Sequence, residues 1–264
     1  MLLLAVAMRS PFTLLITAAG EGSRFKKAGL HVPKPMILVE GRTLLEHTLD
    51  SFSIQEQDTL LISYRREHQL CKQLQKTLQQ RLPGITLHWL EFDHLPPGQL
   101  ATASASINNW LQSSEAPLDK SQPLLIHNCD TGFQWNDECL PNNSDASMPV
   151  FEAPGNHWSF GKPDKNDPNR AIAIAEKKRI SSLASIGLYG FESIEQFSQQ
   201  AKIHLRKAKT FNGEHYISPL LQSMVEQNLY ISLPRVEGIK LYGTPSELCT
   251  TFNISKEVLL RDNS

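Results

Sequence analysis

The first half of the chain alternates between short apolar runs and segments whose apolar residues recur at helical spacing. The apolar runs, typical of buried strands, lie at 12–16, 59–63, 85–90 and 123–127. Helical spacing separates them at 43–52, 67–82 and 98–111. This alternation predicts an α/β protein with a mostly parallel, Rossmann-like sheet that is flanked by helices on both faces.

The pattern changes after residue 134. A polar, loop-rich tract covers 135–147, and a second helix-and-strand region follows it. Strands are predicted at 158–160, 172–174, 183–191, 230–233 and 239–242, with a helix ending at 227 and a last helix after Gly243. We therefore predict one domain over 1–264, in which a smaller mixed lobe begins at about residue 135 and runs to 264.

Composition and charge exclude several classes of function. The chain has 264 residues, of which 40% are hydrophobic, so it can bury a sizeable core. Its 26 Lys and Arg residues against 27 Asp and Glu residues give a net charge of −1. Such a balance provides no field for nucleic acid or for an anionic membrane, and no partner of either kind is expected. Any anion must be bound by a local site.

The cysteines and the N-terminus indicate a cytoplasmic protein. Cys71, Cys129, Cys139 and Cys249 form no C-x-x-C pair, which favours reduced thiols over a zinc site. The apolar N-terminal stretch 1–8 is too short to span a bilayer, and Met8 is an alternative start. We expect no transmembrane segment.

The predicted first strand leads into a loop of small residues that could bind phosphate. Gly20 and Gly22 allow backbone amides to approach an anion closely, and Arg24 and Lys34 add positive charge nearby. The loop lacks the third glycine of a dinucleotide fingerprint and the G-K-[ST] ending of a P-loop. Taken alone, Gly20-x-Gly22 fits a glycine turn with solvated lysines equally well.

Asp130 follows the fourth predicted strand. Ligands of parallel sheets bind beyond the carboxyl ends of the strands, so Asp130 and the Gly20 loop should lie at the same edge. A lone aspartate at such a position is also a common turn or cap residue.

The full order of these motifs resembles one family. A strand, A-A-G-x-G-S-R-F, a gap of seven residues from Lys26 to Val32 and then Pro33-Lys34-Pro35 are similar to nucleotidyltransferases of the NDP-sugar pyrophosphorylase kind. The resemblance implies a GT-A-like fold, Mg²⁺ as cofactor, and a nucleoside triphosphate and a phosphorylated small molecule as substrates. It divides the chain into a nucleotide-binding part at about 10–134 and an acceptor-binding part at about 135–264.

For the nucleotide, the resemblance assigns the β- and γ-phosphates to Arg24 and Ser23, the α-phosphate to Lys34 and magnesium to Asp130. Gly98 and Gln99 match a loop that contacts the base, although a glutamine at a helix start is often solvated. The nucleotide-binding positions are Ala18, Ala19, Gly20, Glu21, Gly22, Ser23, Gly98 and Gln99.

For the acceptor, the order of Trp158-x-Phe160, a strand ending in Glu176-Lys177 and the G-L-Y-x-F segment from Gly187 also resembles the family. It implies that Glu176, Lys177 and Gly187 bind the hydroxyls and phosphate of the acceptor. The alternative for Glu176 and Lys177 is a solvated charged turn.

One position departs from the family. Many relatives carry an aspartate two residues before Gly243-Thr244 as second metal ligand, whereas this chain has Leu241. Either another carboxylate replaces it, for which we expect Glu214, or Asp130 acts with phosphate oxygens and water.

The chemistry needs little from the protein, because a phosphate monoester is largely dianionic at neutral pH and requires no general base. Three functions remain: synthesis of a nucleotide-activated sugar for a surface polysaccharide, CTP-dependent activation of phosphocholine or an amino-acid-derived phosphate, and a nucleotide-binding regulator that has lost turnover. Arg24, Lys34 and Asp130 argue against the third function. A homo-oligomer is compatible with the sequence, which identifies neither the base nor the acceptor.

Overall fold

The structure, a computed structural model, describes residues 9–69, 72–113, 118–207 and 210–263. The N-terminal stretch 1–8, Cys71 and Leu70 in the predicted helix at 67–82 lie outside the described residues.

The chain alternates strands and helices. In chain order the strands are β1 Thr13–Thr17, β2 Leu38–Val39, β3 Arg42–Thr43, β4 Thr59–Arg65, β5 Thr86–Phe92, β6 Leu124–Asn128, β7 Thr131–Gly132, β8 Ala146–Ser147, β9 Val150–Glu152, β10 Ser159–Pro163, β11 Ala171–Glu176, β12 Leu183–Ser185, β13 Leu188–Phe191, β14 Ile231–Ser232 and β15 Lys240–Leu241. The α-helices are α1 Ser23–Lys27, α2 Leu44–Leu49, α3 Lys72–Arg81, α4 Gln99–Ser113, α5 Ile194–Lys207, α6 Ile217–Glu226, α7 Pro245–Phe252 and α8 Lys256–Asp262.

A seven-stranded sheet in the order β14-β8-β13-β6-β1-β4-β5 forms the centre of the fold. The four strands predicted from the first half of the sequence are its neighbouring members β6, β1, β4 and β5, and all of them run parallel. β13 joins β6 antiparallel and extends the sheet toward the C-terminal half. The predicted α/β class with a mostly parallel sheet is confirmed.

Both faces of the parallel strands β1, β4 and β6 are buried, as predicted, whereas the edge strand β5 is partly exposed. Leu15 of β1 packs in a cluster that includes residues of α4, α5 and α6. Leu14 and Ile16 point to the other face and pack with residues of α2 and α3, because successive side chains of a strand alternate between faces. Each such fully buried aliphatic side chain contributes about 1.5–3 kcal/mol relative to exposure, so the helices hold β1 from both sides.

A separate four-stranded sheet in the order β11-β10-β12-β9 is antiparallel throughout. The prediction of a single strand at 183–191 is wrong in one respect, because this segment forms two strands that belong to different sheets. Ser185 of β12 pairs with Val150 in the small sheet, and Leu188 of β13 pairs with His127 in the large one. Gly187 lies between them with φ of 79°, a left-handed conformation that redirects the chain.

The C-terminal residues pack behind the loop that follows β1. Tyr242 is fully buried, and its hydroxyl lies 2.9 Å from Thr48 Oγ1. Leu248 of α7 and Leu259 of α8 share a core cluster with Phe25 of α1. Three helices, α1, α5 and α8, were not predicted from the periodicity, whereas the predicted helix after Gly243 is present as α7.

Within the described ranges, no helix has the length and apolar character needed to cross a membrane. Cys129, Cys139 and Cys249 have free thiols, as expected for reduced cysteines. The cytoplasmic location and the division of the domain into two parts stay predictions.

Candidate functional site

A cleft of about 690 Å³ opens at the carboxyl edge of the parallel strands, a volume typical of small-molecule sites. Thr17 at the end of β1 and Asn128 at the end of β6 line its floor. Residues of the small antiparallel sheet, including Ser159 and Glu176, also line it. The motifs predicted to meet at this edge therefore do meet.

The loop Ala18–Ser23 forms one wall of the cleft. Gly22 has φ of 63° and precedes α1, and a Cβ there would meet Lys34 Cβ at 3.5 Å. A Cβ on Gly20 would have no heavy atom of any described residue beyond its chain neighbours within 4 Å, so the space before the loop is open. Arg24 and Lys34 line the cleft, whereas Lys26 and Lys27 do not. The loop therefore presents backbone that a ligand can approach, beside the two cationic side chains of Arg24 and Lys34.

Lys34 and Asp130 form an ion pair, with 3.0 Å between Nζ and Oδ2. Lys34 begins a 3-10 helix at Lys34–Met36. Asp130 lies two residues after Asn128, the last residue of β6. Burial alone would raise the pKa of the Asp130 carboxyl, but the charge and hydrogen bond of Lys34, with smaller contributions from His127 and Thr131, together outweigh it and the pKa is lowered. Thr131 Oγ1 donates to the other carboxylate oxygen at 3.3 Å. Asp130 is therefore ionised at neutral pH.

His127 supports the turn that carries Asp130. Its side chain is fully buried, and burial lowers its pKa. The neutral ring donates from Nε2 to the carbonyl oxygen of Thr131 at 2.9 Å, and Nδ1 has no partner among the described residues. This contact fixes the link between β6 and β7.

The predicted base-binding loop is fastened to the segment around His215. Gly98 has φ of 94°, and a Cβ there would lie 2.6 Å from the backbone nitrogen of His215. The Leu100 N–H donates to the His215 carbonyl at 2.9 Å, and the His215 N–H donates to the Pro97 carbonyl at 2.8 Å. Gln99 Nε2 donates to Thr17 Oγ1 at 3.3 Å. Gly98 and Gln99 both line the cleft.

On the acceptor side, Glu176 is held by two serines. Its Oε2 accepts from Ser159 Oγ and, at 2.6 Å, from Ser218 Oγ. Only 8% of its side chain is exposed, so Glu176 is not a solvated turn residue.

Lys177 lies behind the cleft wall, not in it. Its backbone is left-handed, with φ of 50°, and its Nζ donates to the Tyr216 hydroxyl at 2.8 Å. Tyr216 lines the cleft and in turn donates to Glu214 Oε2. Lys177 therefore reaches the cleft through Tyr216, a residue that the sequence motifs did not single out.

Gly187 lines the cleft and allows close packing with Asn128. A Cβ on Gly187 would lie 2.2 Å from Asn128 Nδ2, and the Gly187 N–H donates to Ser185 Oγ at 3.0 Å. The Asn128 amide thus forms part of the cleft wall near Asp130. In the sequence, only the position of Asn128 two residues before Asp130 indicates that it belongs to the site.

Glu247 also lines the cleft near Asp130 and adds a second carboxylate there. The sequence motifs did not single it out. A Cβ on Gly243 would lie 3.3 Å from Glu247 Oε2 and 3.4 Å from Asp130 Oδ2. In the sequence, Glu247 follows Thr244 by three residues, the spacing of a helix capping box. That spacing indicates a helix start and gives no sign that Glu247 lies in the cleft near Asp130.

The donors present suit a hard cation such as magnesium, which prefers carboxylate oxygens and keeps several waters. The described residues contain no group of three or more His, Cys, Asp or Glu side chains that could hold a metal. Glu214, the ligand expected beside Asp130, is exposed and accepts from Tyr216. Its role at a metal stays a prediction.

The chain is similar to proteins of known families. Residues 14–138 match the MobA-like NTP transferase domain. The chain is 22% identical over 234 residues to the bifunctional protein GlmU of Methanocaldococcus jannaschii, covering 87% of this chain and 49% of that protein. It therefore spans about half the length of that curated relative.

Solved structures are similar over nearly the whole chain. The nucleoside-diphosphate-sugar pyrophosphorylase from Vibrio cholerae RC9 is 27% identical with a TM-score of 0.81, and the match covers 91% of this chain and 99% of that one. An apo UDP-glucose pyrophosphorylase is 13% identical with a TM-score of 0.72, covering 92% and 97%. The second likeness concerns the fold alone.

Proposed function

We propose that this chain, which belongs to the nucleotidyltransferase family, transfers a nucleoside monophosphate from a nucleoside triphosphate to a phosphorylated small molecule and releases pyrophosphate. The family resemblance, predicted from the Gly20 loop and Pro33-Lys34-Pro35, is confirmed by the comparisons. The preferred acceptor is a sugar 1-phosphate, because the Vibrio cholerae pyrophosphorylase is similar over nearly its whole length. The product would serve the synthesis of a surface polysaccharide.

One observation carries this proposal. A single cleft brings together the small-residue loop, Arg24, Lys34 and Asp130, and with them Glu176 and Tyr216. These groups provide positive charge and amides for a triphosphate on one side and hydrogen-bonding groups for an acceptor on the other. That arrangement suits transfer between two phosphorylated molecules.

In the reaction, an oxygen of the acceptor phosphate attacks the α-phosphorus of the triphosphate. The bond from the α-phosphorus to the bridging oxygen breaks, and the electron pair leaves with pyrophosphate. The dianionic acceptor needs no base to remove a proton. Catalysis then consists of aligning the two substrates and stabilising the charge of the transition state.

Each cation of the nucleotide side has a proposed role. Arg24 and Ser23 bind the β- and γ-phosphates, and Lys34 moves from Asp130 to the α-phosphate when the triphosphate is bound. Asp130 would hold a magnesium ion, which would neutralise phosphate charge. Glu176, fixed by its serines, accepts hydrogen bonds from the hydroxyls of the acceptor. Lys177 acts on the acceptor phosphate through Tyr216, which lines the cleft.

The aromatic contacts of Lys177 distinguish the two acceptor classes. Lys177 Nζ lies 4.5 Å from the ring centroid of Tyr216 and 5.1 Å from that of Phe211. Choline is recognised by such aromatic faces, but here the protein's own ammonium group occupies them. This favours a sugar phosphate over phosphocholine as acceptor.

A panel of triphosphates tests the function. Thermal shift with magnesium and each of CTP, UTP, GTP, dTTP and ATP should give one clear stabiliser, since a ligand at 100 times its Kd adds about 2.7 kcal/mol to the unfolding free energy. That nucleotide should then release pyrophosphate with a sugar 1-phosphate and not with phosphocholine.

The assay separates the alternatives. Pyrophosphate release with phosphocholine and CTP only would establish the second function. Binding of one triphosphate without turnover on any acceptor would support a regulatory protein. If no triphosphate shifts the melting temperature at millimolar concentration, the proposal is wrong.

A further inference from the structure

A gap at Gly243 separates two carboxylates in the cleft. We propose that Glu247, together with Asp130, binds the divalent cation of this site, and so supplies the second carboxylate that Leu241 does not provide. The inference rests on the proposed function for its role in catalysis. Cation binding itself can be measured without turnover.

Backbone pairing places Glu247 near Asp130. Leu241 of β15 pairs with Thr131 of β7, the strand that follows Asp130. The Tyr242 N–H then donates to the Asp130 carbonyl at 3.0 Å. Gly243 comes next in the chain, and α7 begins two residues later at Pro245. The C-terminal segment is thus tied to Asp130 by its main chain, and the first turn of α7 faces the cleft.

The side chain of Glu247 is not used to cap its own helix. The Glu247 N–H donates to Thr244 Oγ1 at 3.1 Å, but the Glu247 carboxylate has no hydrogen bond or ion pair with any residue in the described ranges. At α2 the equivalent residue behaves differently, since Glu46 Oε2 accepts from the Thr43 N–H at 2.9 Å. Only the Glu46 carboxylate completes its capping box; that of Glu247 remains available to a ligand.

The two carboxylates face one small space. Glu247 Oε2 and Asp130 Oδ2 lie 3.3 and 3.4 Å from the point where a Gly243 Cβ would stand, and glycine leaves that point empty. Magnesium holds oxygens at about 2.0–2.1 Å and commonly takes one or two carboxylates plus water. Both carboxylates thus approach one position beside Gly243, and a cation shared by them would displace Lys34 Nζ, which lies 3.0 Å from Asp130 Oδ2.

Glu214 is less suited to this role. Its carboxylate already accepts from Tyr216, whose hydroxyl also contacts Lys177. The atoms nearest to a Gly243 Cβ belong to Glu247 and Asp130. We therefore assign Glu214 to the acceptor-side network and Glu247 to the cation.

The test measures binding of Mn²⁺ alone to the full chain, by electron paramagnetic resonance of the free ion. We expect the unaltered protein to bind one Mn²⁺ in the cleft and Glu247→Gln to weaken the affinity at least tenfold. Gly243→Ala should weaken it as well, because a methyl group would occupy the space between the carboxylates without changing any charge. Asp130→Asn should have the same effect.

Two matched variants serve as controls. Glu214→Gln tests the competing ligand, and Glu257→Gln removes a carboxylate from the first turn of α8, outside the cleft lining. Both should bind Mn²⁺ within twofold of the unaltered protein. Circular dichroism and the melting temperature report whether each variant is folded.

Three results would overturn the inference: unchanged Mn²⁺ affinity in folded Glu247→Gln, a loss in Glu214→Gln instead, or no Mn²⁺ binding by the unaltered protein. Failure of the proposed function is distinguishable, because it would abolish pyrophosphate release and leave the Glu247-dependent Mn²⁺ site intact.

Discussion

The two sides of the cleft differ in how their polar groups are satisfied. On the nucleotide side, Lys34 pairs with Asp130, which also accepts from Thr131. The side chains of Ser23 and Arg24 have no hydrogen bond or ion pair with any described residue. On the acceptor side, Glu176 is bound by two serines, and Lys177, Tyr216 and Glu214 form a continuous chain of hydrogen bonds.

This difference indicates how each side is used. A triphosphate brings several negative charges, so the nucleotide side keeps cations available, and Lys34 pairs with Asp130 until a metal ion or a phosphate displaces it. An acceptor presents hydroxyls that need fixed partners, and preorganised groups cost less to order on binding. Substitutions on the two sides should therefore alter different kinetic constants.

The largest effect is expected for Asp130→Asn. The change keeps the shape and removes the charge proposed to hold the cation, so turnover should fall a hundredfold or more, on the scale of about 3 kcal/mol for one lost transition-state stabiliser. The melting temperature should change little. Steady-state pyrophosphate release measures kcat, and an active variant with ordinary magnesium dependence would refute the metal assignment.

Lys34→Ala should come next. Because its contact strengthens as charge develops at the α-phosphate, we expect kcat to fall about tenfold to a hundredfold and triphosphate binding to weaken less. Arg24→Ala should impair binding and turnover together. Kinetics of pyrophosphate release and thermal-shift titration separate the two effects. An unchanged kcat in a folded Lys34 variant would remove Lys34 from the mechanism.

Tyr216→Phe tests the acceptor side. It keeps the ring beside Lys177 and removes the hydroxyl that links Lys177 to Glu214. Losing one hydrogen bond of about 1 kcal/mol should raise KM for the acceptor about fivefold and leave triphosphate affinity unchanged. If triphosphate affinity falls and the acceptor KM does not, the assignment of the two sides is reversed.

The smallest effect concerns His127, which lies beneath the nucleotide side. Its pKa is lowered by burial below the usual 6.5, so the unfolded chain takes up the proton first as the pH falls. Its contribution to stability is complete above pH 6.5 and is lost below it, with a slope of at most about 1.4 kcal/mol per pH unit.

Urea unfolding at pH 7 and pH 5.5 measures this loss for the whole protein, to which His68, with a pKa lowered to about 4, also contributes. Imidazole NMR isolates His127. A His127 ring that titrates at or above pH 6.5 in the folded protein would contradict the neutral, carbonyl-donating form described above.

The sequence by itself determined the parallel half of the fold and its phosphate loop. Period-two and period-3.6 patterns are local, so β1, β4, β5 and β6 and the helices α2, α3 and α4 follow from neighbouring residues. The edge shared by the Gly20 loop and Asp130 follows too, because parallel strands end on one side of a sheet. Lys34 was predicted from its motif, and the structure places it at Asp130.

Only the tertiary structure decided the rest. The break at Gly187 depends on Asn128, which packs where a Cβ would stand. The approach of Glu247 to Asp130 depends on pairing of β15 with β7 across most of the C-terminal half. Such contacts are made by backbone hydrogen bonds between segments far apart in the chain, and no local periodicity records them. For this reason the sequence motif placed Glu247 at a helix start, and only the folded chain places it in the cleft.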